Sequence, residues 1–288
     1  MERSIKHLVE CAGTGSIAQA ARRNQAQKLH QSEAQMNAKM LENLQVMKES
    51  AVQGMSPDTR SVSGMVGGQA AKMWAHADHA IGGAILGRAA ARAMAIAECN
   101  ACMGKIVAAP TAGACGILPA ALLTMQDEYG YTDAQLVDAL FTAAAVGRVI
   151  AKRSSISGAE GGCQAECGSA AAMAAAALTE LAGGTAQMAA DACAFAMMNS
   201  LGLVCDPVNG LVEVPCVYRN VSGVSNALTA AEMVLSGVTS PIPADEVIDA
   251  MKAVGDALPT SLRETGEGGC AACASVCGQR EKLERKQL

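Results

Sequence analysis

With 288 residues, 51% of them apolar, the chain is long enough to bury one large core or two modest ones. A net charge of −5 excludes the basic footprint of a nucleic-acid surface, and no basic amphipathic segment points to a membrane face. Aromatic residues are only 2% of the chain, so core volume has to come from Ala, Met, Leu, Ile and Val, which favours close-packed helices.

Residues 1–23 are weakly patterned, and GTGS at 13–16 separates a short helix from the next. From Asn24 to Gln53, Leu29, Met36, Met40, Leu44 and Met47 recur at helical spacing, which predicts one long solvated helix ended by Gly54 and Pro57. SVSGMVGG at 61–68 is a glycine-rich loop, but no strand precedes it and no lysine follows as a phosphate loop requires. Helical pattern resumes from Gln69 to about Met103, interrupted at Gly82–Gly83 and Gly87. VAAPTAGACGILP at 107–119 then predicts a fixed irregular turn, with a helix restarting near Pro119.

Thr132–Asp133 caps a helix that runs to about Lys152 and breaks at SSISGAEGG. Cys163–Leu181 and Thr185–Ser200 read as two buried helices joined by Gly183–Gly184, because they are apolar nearly all round. A loop at 201–216, a helix at 217–236, a helix from Asp245 to about Ala257 and a glycine- and cysteine-rich tail complete the chain. The only hint of extended pairing is VEVP at 212–215, and there is no fixed-period repeat or dividing linker. The expected fold is all-α: a single compact helical domain in which residues 1–60 form an N-terminal helical extension of the unit 61–288.

No N-terminal segment has the pattern of a signal peptide, and the Ala-rich stretches at 170–178 and 186–198 are too short to span a bilayer. A cytoplasmic location is therefore expected, where 12 cysteines are thiols or metal ligands rather than disulfides. Cys163, Cys205 and Cys216 stand beside glycine, proline or carboxylate, at a helix start and on loops. There a helix dipole and backbone amides favour a thiolate. They are either structural thiols or three ligands of a metal centre with one open position. Cys11, Cys115, Cys167 and Cys193 read as small hydrophobes. Cys99 and Cys102 read as core residues, and Cys270, Cys273 and Cys277 as a metal or redox motif or as exposed tail thiols.

His76 and His79 share a helix face with Asp78 nearby, but no third ligand is visible. Glu160 and Glu166 flank Cys163, each a candidate base or cap, with capping favoured for Glu160. There is no nucleophile elbow, no Ser/His/Asp pattern, and no lysine in a pyridoxal phosphate context.

Four stretches, VAAPTAGACGILPAALL (107–123), SISGAEGGCQAECG (155–168), LGLVCDPVNGLVEVPC (201–216) and SLRETGEGG (261–269), closely resemble the α subunit of iron–sulfur-dependent bacterial L-serine dehydratases. NLQVMKESAVQG and SGMVGGQAAKM extend the likeness over nearly the whole chain. The resemblance implies a 4Fe–4S cluster on Cys163, Cys205 and Cys216, and no pyridoxal phosphate. It implies dehydration of L-serine to aminoacrylate, then pyruvate and ammonia, a step of amino-acid degradation that feeds gluconeogenesis. On this reading Thr111, Ala112, Gly113 and Ser157 bind the substrate, and Ser157 and Glu160 are the catalytic candidates. The alternatives are an L-cysteine desulfidase of the related cluster lyases and a non-catalytic iron–sulfur or zinc-binding subunit.

Two features depart from the family pattern. The S-S-S-H-T motif of the β region, whose histidine is a candidate base, is absent, so a separate β subunit and a hetero-oligomer are expected. After SLRETGEGG the chain continues with CAACASVCG, which is either a bland substitution or the source of a tail cysteine (Cys270, Cys273 or Cys277) on the cluster's fourth iron.

Overall fold

The computed structural model describes residues 3–277, without the side chain of Cys277. Thirteen α-helices follow one another: α1 (Ile5–Ala12), α2 (Ile17–Lys28), α3 (Glu33–Gly54), α4 (Gln69–His76), α5 (Ala84–Ala101), α6 (Ile117–Tyr129), α7 (Asp133–Arg153), α8 (Gly158–Gly161), α9 (Ser169–Leu181), α10 (Ala186–Met198), α11 (Cys216–Leu235), α12 (Ala244–Ala257) and α13 (Ala274–Cys277). Among the described residues there is no strand, and the fold is all-α. The single bridge among those residues pairs Cys205 with Arg263 rather than using VEVP.

The core is built around α9, whose residues Ala170–Ala172 and Ala174–Ala177 are fully buried against α6, α7, α10 and α11. Each alanine withdraws only one methyl group from water, so stability depends on many close contacts rather than a few large side chains. Glycines permit the closest approaches. A Cβ on Gly54 of α3 would stand 1.7 Å from the Ala95 carbonyl oxygen of α5, and one on Gly116 would stand 2.3 Å from that of Ala93. Helix α7 is long and apolar enough to cross a membrane, but 67% of its apolar window is buried inside the fold.

The single helix expected over 24–53 is two. The chain turns at Leu29–His30, where His30 has φ 51°, and restarts at Ser32. Ser32 accepts the Gln35 N–H while the Gln35 side chain accepts the Ser32 N–H, a capping box that makes a new helix start cheaper than continuation. Thr132 and Gln135 do the same for α7. Residues 1–60 supply Ile5, Leu8, Ile17, Leu44 and Met47 to the same core as α5–α12.

Two buried carboxylates fix the glycine-rich loop at 61–68. Glu98 accepts the N–H groups of Gly67, Gln69 and Ala70, satisfying the start of α4. Glu213 accepts the Ser61 hydroxyl and the Ser63 N–H and hydroxyl. Because Glu213 lies three residues before Cys216, this loop braces the start of α11. Cys115, Cys167 and Cys193 are buried as expected, but Cys11 is exposed, its sulfur 3.6 Å from His7. An eight-residue helix buries only one stripe, which Ile5 and Leu8 occupy.

Candidate metal centre and active site

Cys163 follows Gly161–Gly162 at the end of α8, where Gly162 takes φ 76°, a conformation that suits glycine. A π-helical turn, Gln164–Gly168, then joins it to α9. Gln164 is fully buried and ties this turn to its neighbours. Its amide donates to the Met251 carbonyl and accepts the Gly202 N–H, while its own N–H donates to the Leu203 carbonyl. Cys205 is held by the tail: its N–H donates to Leu262 O and its carbonyl accepts the Glu264 N–H at 2.7 Å. Cys216 opens α11 directly after Pro215.

All three cysteines are buried. Burial pushes the thiols of Cys205 and Cys216 up, Cys216 to about 12, and negative charge on Glu166 and Cys163 pushes each further. Cys163 is the exception. The Cys167 thiol, 3.3 Å away, holds it low against the cost of burial, and the half-buried Arg219 guanidinium adds to this. Arg219 also donates to the Val204 carbonyl and pairs with Asp206 at 2.7 Å. Burial raises the Asp206 carboxyl, but the Cys270 N–H and Arg219 outweigh it and hold the group low.

Glu166 is the meeting point of the conspicuous motifs. It accepts the Thr111 hydroxyl at 2.8 Å and lies 3.8 Å from the Cys205 sulfur. A Cβ on Gly158 would stand 2.7 Å from its Oε2 and 2.8 Å from that sulfur, and a Cβ on Gly113 would stand 3.1 Å from its Oε1. Burial pushes the Glu166 carboxyl above the ordinary carboxylate range; Thr111 opposes the shift and Glu264 adds to it. The turn 110–113 is held from the other side by Asn220, which is fully buried. Asn220 accepts the Gly116 N–H and donates to the carbonyls of Gly113 and Cys216. Asn100 donates to the carbonyl of Ala112.

The structure therefore brings Cys205, Thr111 and Gly113 around one carboxylate, with Cys163 three residues before it and Cys216 tied to the Gly113 turn through Asn220. Glu160 stands apart. It accepts the Ser155 hydroxyl at 2.6 Å, Ser155 accepts the Ser157 N–H at 3.0 Å, and Glu160 lines a separate cleft with Lys252 and Arg263. His76 ends α4 and His79 lies in the following turn, their rings 6.2 Å apart. Cys270 reaches the site through its N–H on Asp206, and the Cys277 side chain lies outside the described residues.

Sequence reading placed Glu160 among the catalytic candidates and left Glu166 as a base or a cap, and it missed Asn220 and Arg219. The signal for these two was polar residues at helical spacing after Cys216, on a helix otherwise apolar on that face.

Among the described residues no three His, Cys, Asp or Glu side chains are placed to share one metal ion. A polynuclear cluster takes one thiolate on each of several metal atoms, so its ligands stand further apart than those of a single ion. Three soft, buried sulfur donors on three chain segments fit such a cluster.

The family model for the serine dehydratase alpha chain matches residues 14–271. The probable L-serine dehydratase alpha chain of Bacillus subtilis is 46% identical over 276 residues, 94% of this chain and 92% of that one. The L-serine dehydratase alpha chain of Peptoniphilus asaccharolyticus is 44% identical over 87% of this chain and 86% of its own length. The probable alpha chain of Latilactobacillus sakei is 56% identical over 65% of this chain and 90% of its own length. The chain belongs to the serine dehydratase alpha-chain family.

Proposed function

We propose that this chain is the α subunit of an L-serine ammonia-lyase of the cytoplasm that uses a 4Fe–4S cluster on Cys163, Cys205 and Cys216. The product aminoacrylate hydrolyses to pyruvate and ammonia, which places the reaction in amino-acid degradation and the supply of carbon for gluconeogenesis. The observation that carries the reading is the meeting of Cys205 and the Thr111 turn on one carboxylate, Glu166, with the thiols of Cys163 and Cys216 also buried. When bound, the cluster supplies a Lewis acid for the serine hydroxyl, a poor leaving group.

The chain's own residues orient and protonate. The turns at 110–113 and 155–158 form the substrate carboxylate site, with Thr111, Ala112, Gly113 and Ser157 in it. Ser157 is held through Ser155 by Glu160, which acts as a positioning residue. Glu166, kept protonated more readily than an exposed carboxyl, returns a proton to the departing hydroxyl group. The base for the Cα proton comes from a separate β subunit. The α-chain naming of the relatives supports a partner of that kind.

The test is pyruvate release under anaerobic conditions, with serine and cysteine offered separately. The reading requires turnover of serine only when the β chain is added. Full turnover by this chain alone would remove the β-subunit role, and preference for cysteine would make it a desulfidase.

A further inference from the structure

Cys167 has no part in the chemistry above. It follows Cys163 by one turn across the π-helical segment Gln164–Gly168, and its sulfur lies 3.3 Å from that of Cys163. Both residues are buried, at 2% and 4% exposure. Cys167 nevertheless forms part of the wall of a cleft of about 610 Å³, with Ser200, Leu203, Arg219 and Asn226. The cleft brings solvent to the wall that Cys167 helps to form.

We propose that Cys163 and Cys167 are an oxidation site of the metal-free chain, where a small peroxide forms a disulfide that a dithiol reverses. While the bond lasts, Cys163 is withdrawn from the metal centre. This consequence rests on Cys163 being a cluster ligand; the bond itself does not.

The atoms balance with hydrogen peroxide as oxidant. The Cys167 sulfur attacks one peroxide oxygen, the O–O bond breaks, and a sulfenic acid and one water form. The Cys163 sulfur then attacks the sulfenic sulfur. The S–S bond forms, the S–O bond breaks, and hydroxide leaves with the second thiol proton as water. Two thiols lose two electrons and two protons, and one peroxide becomes two waters.

The sulfurs must close from 3.3 Å to roughly 2.05 Å. Residues four apart on a helix hold their Cβ atoms about 5–6 Å apart, against the ~3.5–4.5 Å a disulfide takes. The Cβ atoms have to approach by about one to two ångströms, so the turn Gln164–Gly168 deforms locally as the bond forms. A loaded centre occupies Cys163, which confines the reaction to the metal-free chain.

The metal-free chain, treated with hydrogen peroxide without air and alkylated in denaturant, is digested with a protease that cuts after glutamate. Cuts after Glu160, Glu166 and Glu180 place the two cysteines on separate peptides, Gly161–Glu166 and Cys167–Glu180. The expected result is that these peptides are joined and that dithiothreitol releases them. Neither Cys167→Ala nor Cys163→Ser should give the joined product. In parallel, treated wild type is expected to regain less than a tenth of the cluster absorbance on adding iron and sulfide, and to recover it after dithiothreitol. Treated Cys167→Ala retains most of its absorbance.

Peptides recovered apart, or joined to those bearing Cys193, Cys205 or Cys216, overturn the proposal. Loss of loading in treated Cys167→Ala equal to that of wild type overturns its consequence for the centre. An untreated chain that takes up no cluster defeats the cluster reading instead, and the joined peptides still decide the disulfide.

Discussion

At the scale of single residues, Glu166 and Asn220 do most to join stretches that are far apart in the chain. Asn220 satisfies three buried backbone groups, of Gly113, Gly116 and Cys216, and truncation leaves them without partners. Asn220→Ala is expected to lose about 2–4 kcal/mol, read as a lower urea midpoint at an unchanged slope. Glu166→Gln keeps the shape and the Thr111 contact but cannot exchange the proton. It should lower kcat of the loaded complex by about a hundredfold or more while cluster absorbance persists; unchanged kcat would remove its acid role.

Thr111 was named only through the family resemblance, whereas the cysteines were legible because their neighbours, glycine, proline and carboxylate, are unusual in apolar helices. The choice between Glu160 and Glu166 was not. Both flank Cys163 by three residues, and the π-helical turn at Gln164–Gly168, which no sequence period announces, directs Glu166 to the Cys205 sulfur.

At the scale of elements, most helices could be read from caps and apolar spacing: α7 from Thr132, α10 from Thr185, and the α9–α10 pair from its all-round apolar character. The break between α2 and α3 was missed because periodicity continued through it, while the S-x-x-Q capping signal at Ser32–Gln35 lay in a polar stretch. We propose that α1–α3 serve as a buttress for the unit that follows. Gly54→Ala tests this, because its Cβ would displace α3 from Ala95; a loss of about 2–3 kcal/mol is expected in thermal unfolding.

Lys48 of α3 pairs with Asp133 at the start of α7, at 2.6 Å. The Lys48 hydrogen bond, followed by that of Gln126, holds the Asp133 carboxyl below the usual carboxylate range. A carboxyl whose pKa is lowered by folding stabilises the fold when ionised. This contribution is present at neutral pH and disappears as pH falls through the range where folded Asp133 takes up a proton. The pair is largely solvated, so Lys48→Met should cost only about 0.5 kcal/mol at neutral pH. The deficit should vanish in acid; one that persists there would point to lost packing of the lysine stem.

At the scale of the whole molecule, scarcity of aromatics and abundance of alanine announced a helical core with narrow spacing, and α9 is its axis. Composition could not show how four separated motifs converge. That arrangement arises from buried polar ties, Gln164 to Met251 and Gly202, Asn220 to the 110–116 turn, and Asp206 to the Cys270 N–H, each between residues far apart in sequence.

Iron and labile sulfide bound after anaerobic reconstitution, compared between wild type and the single variants Cys163→Ser, Cys205→Ser and Cys216→Ser, test the central claim most directly. The account predicts about four irons and four sulfides per wild-type chain, with the broad visible absorbance lost in each variant and helical circular dichroism retained. Variants that keep the full cluster, or a wild type that binds a single metal ion and no sulfide, would contradict it.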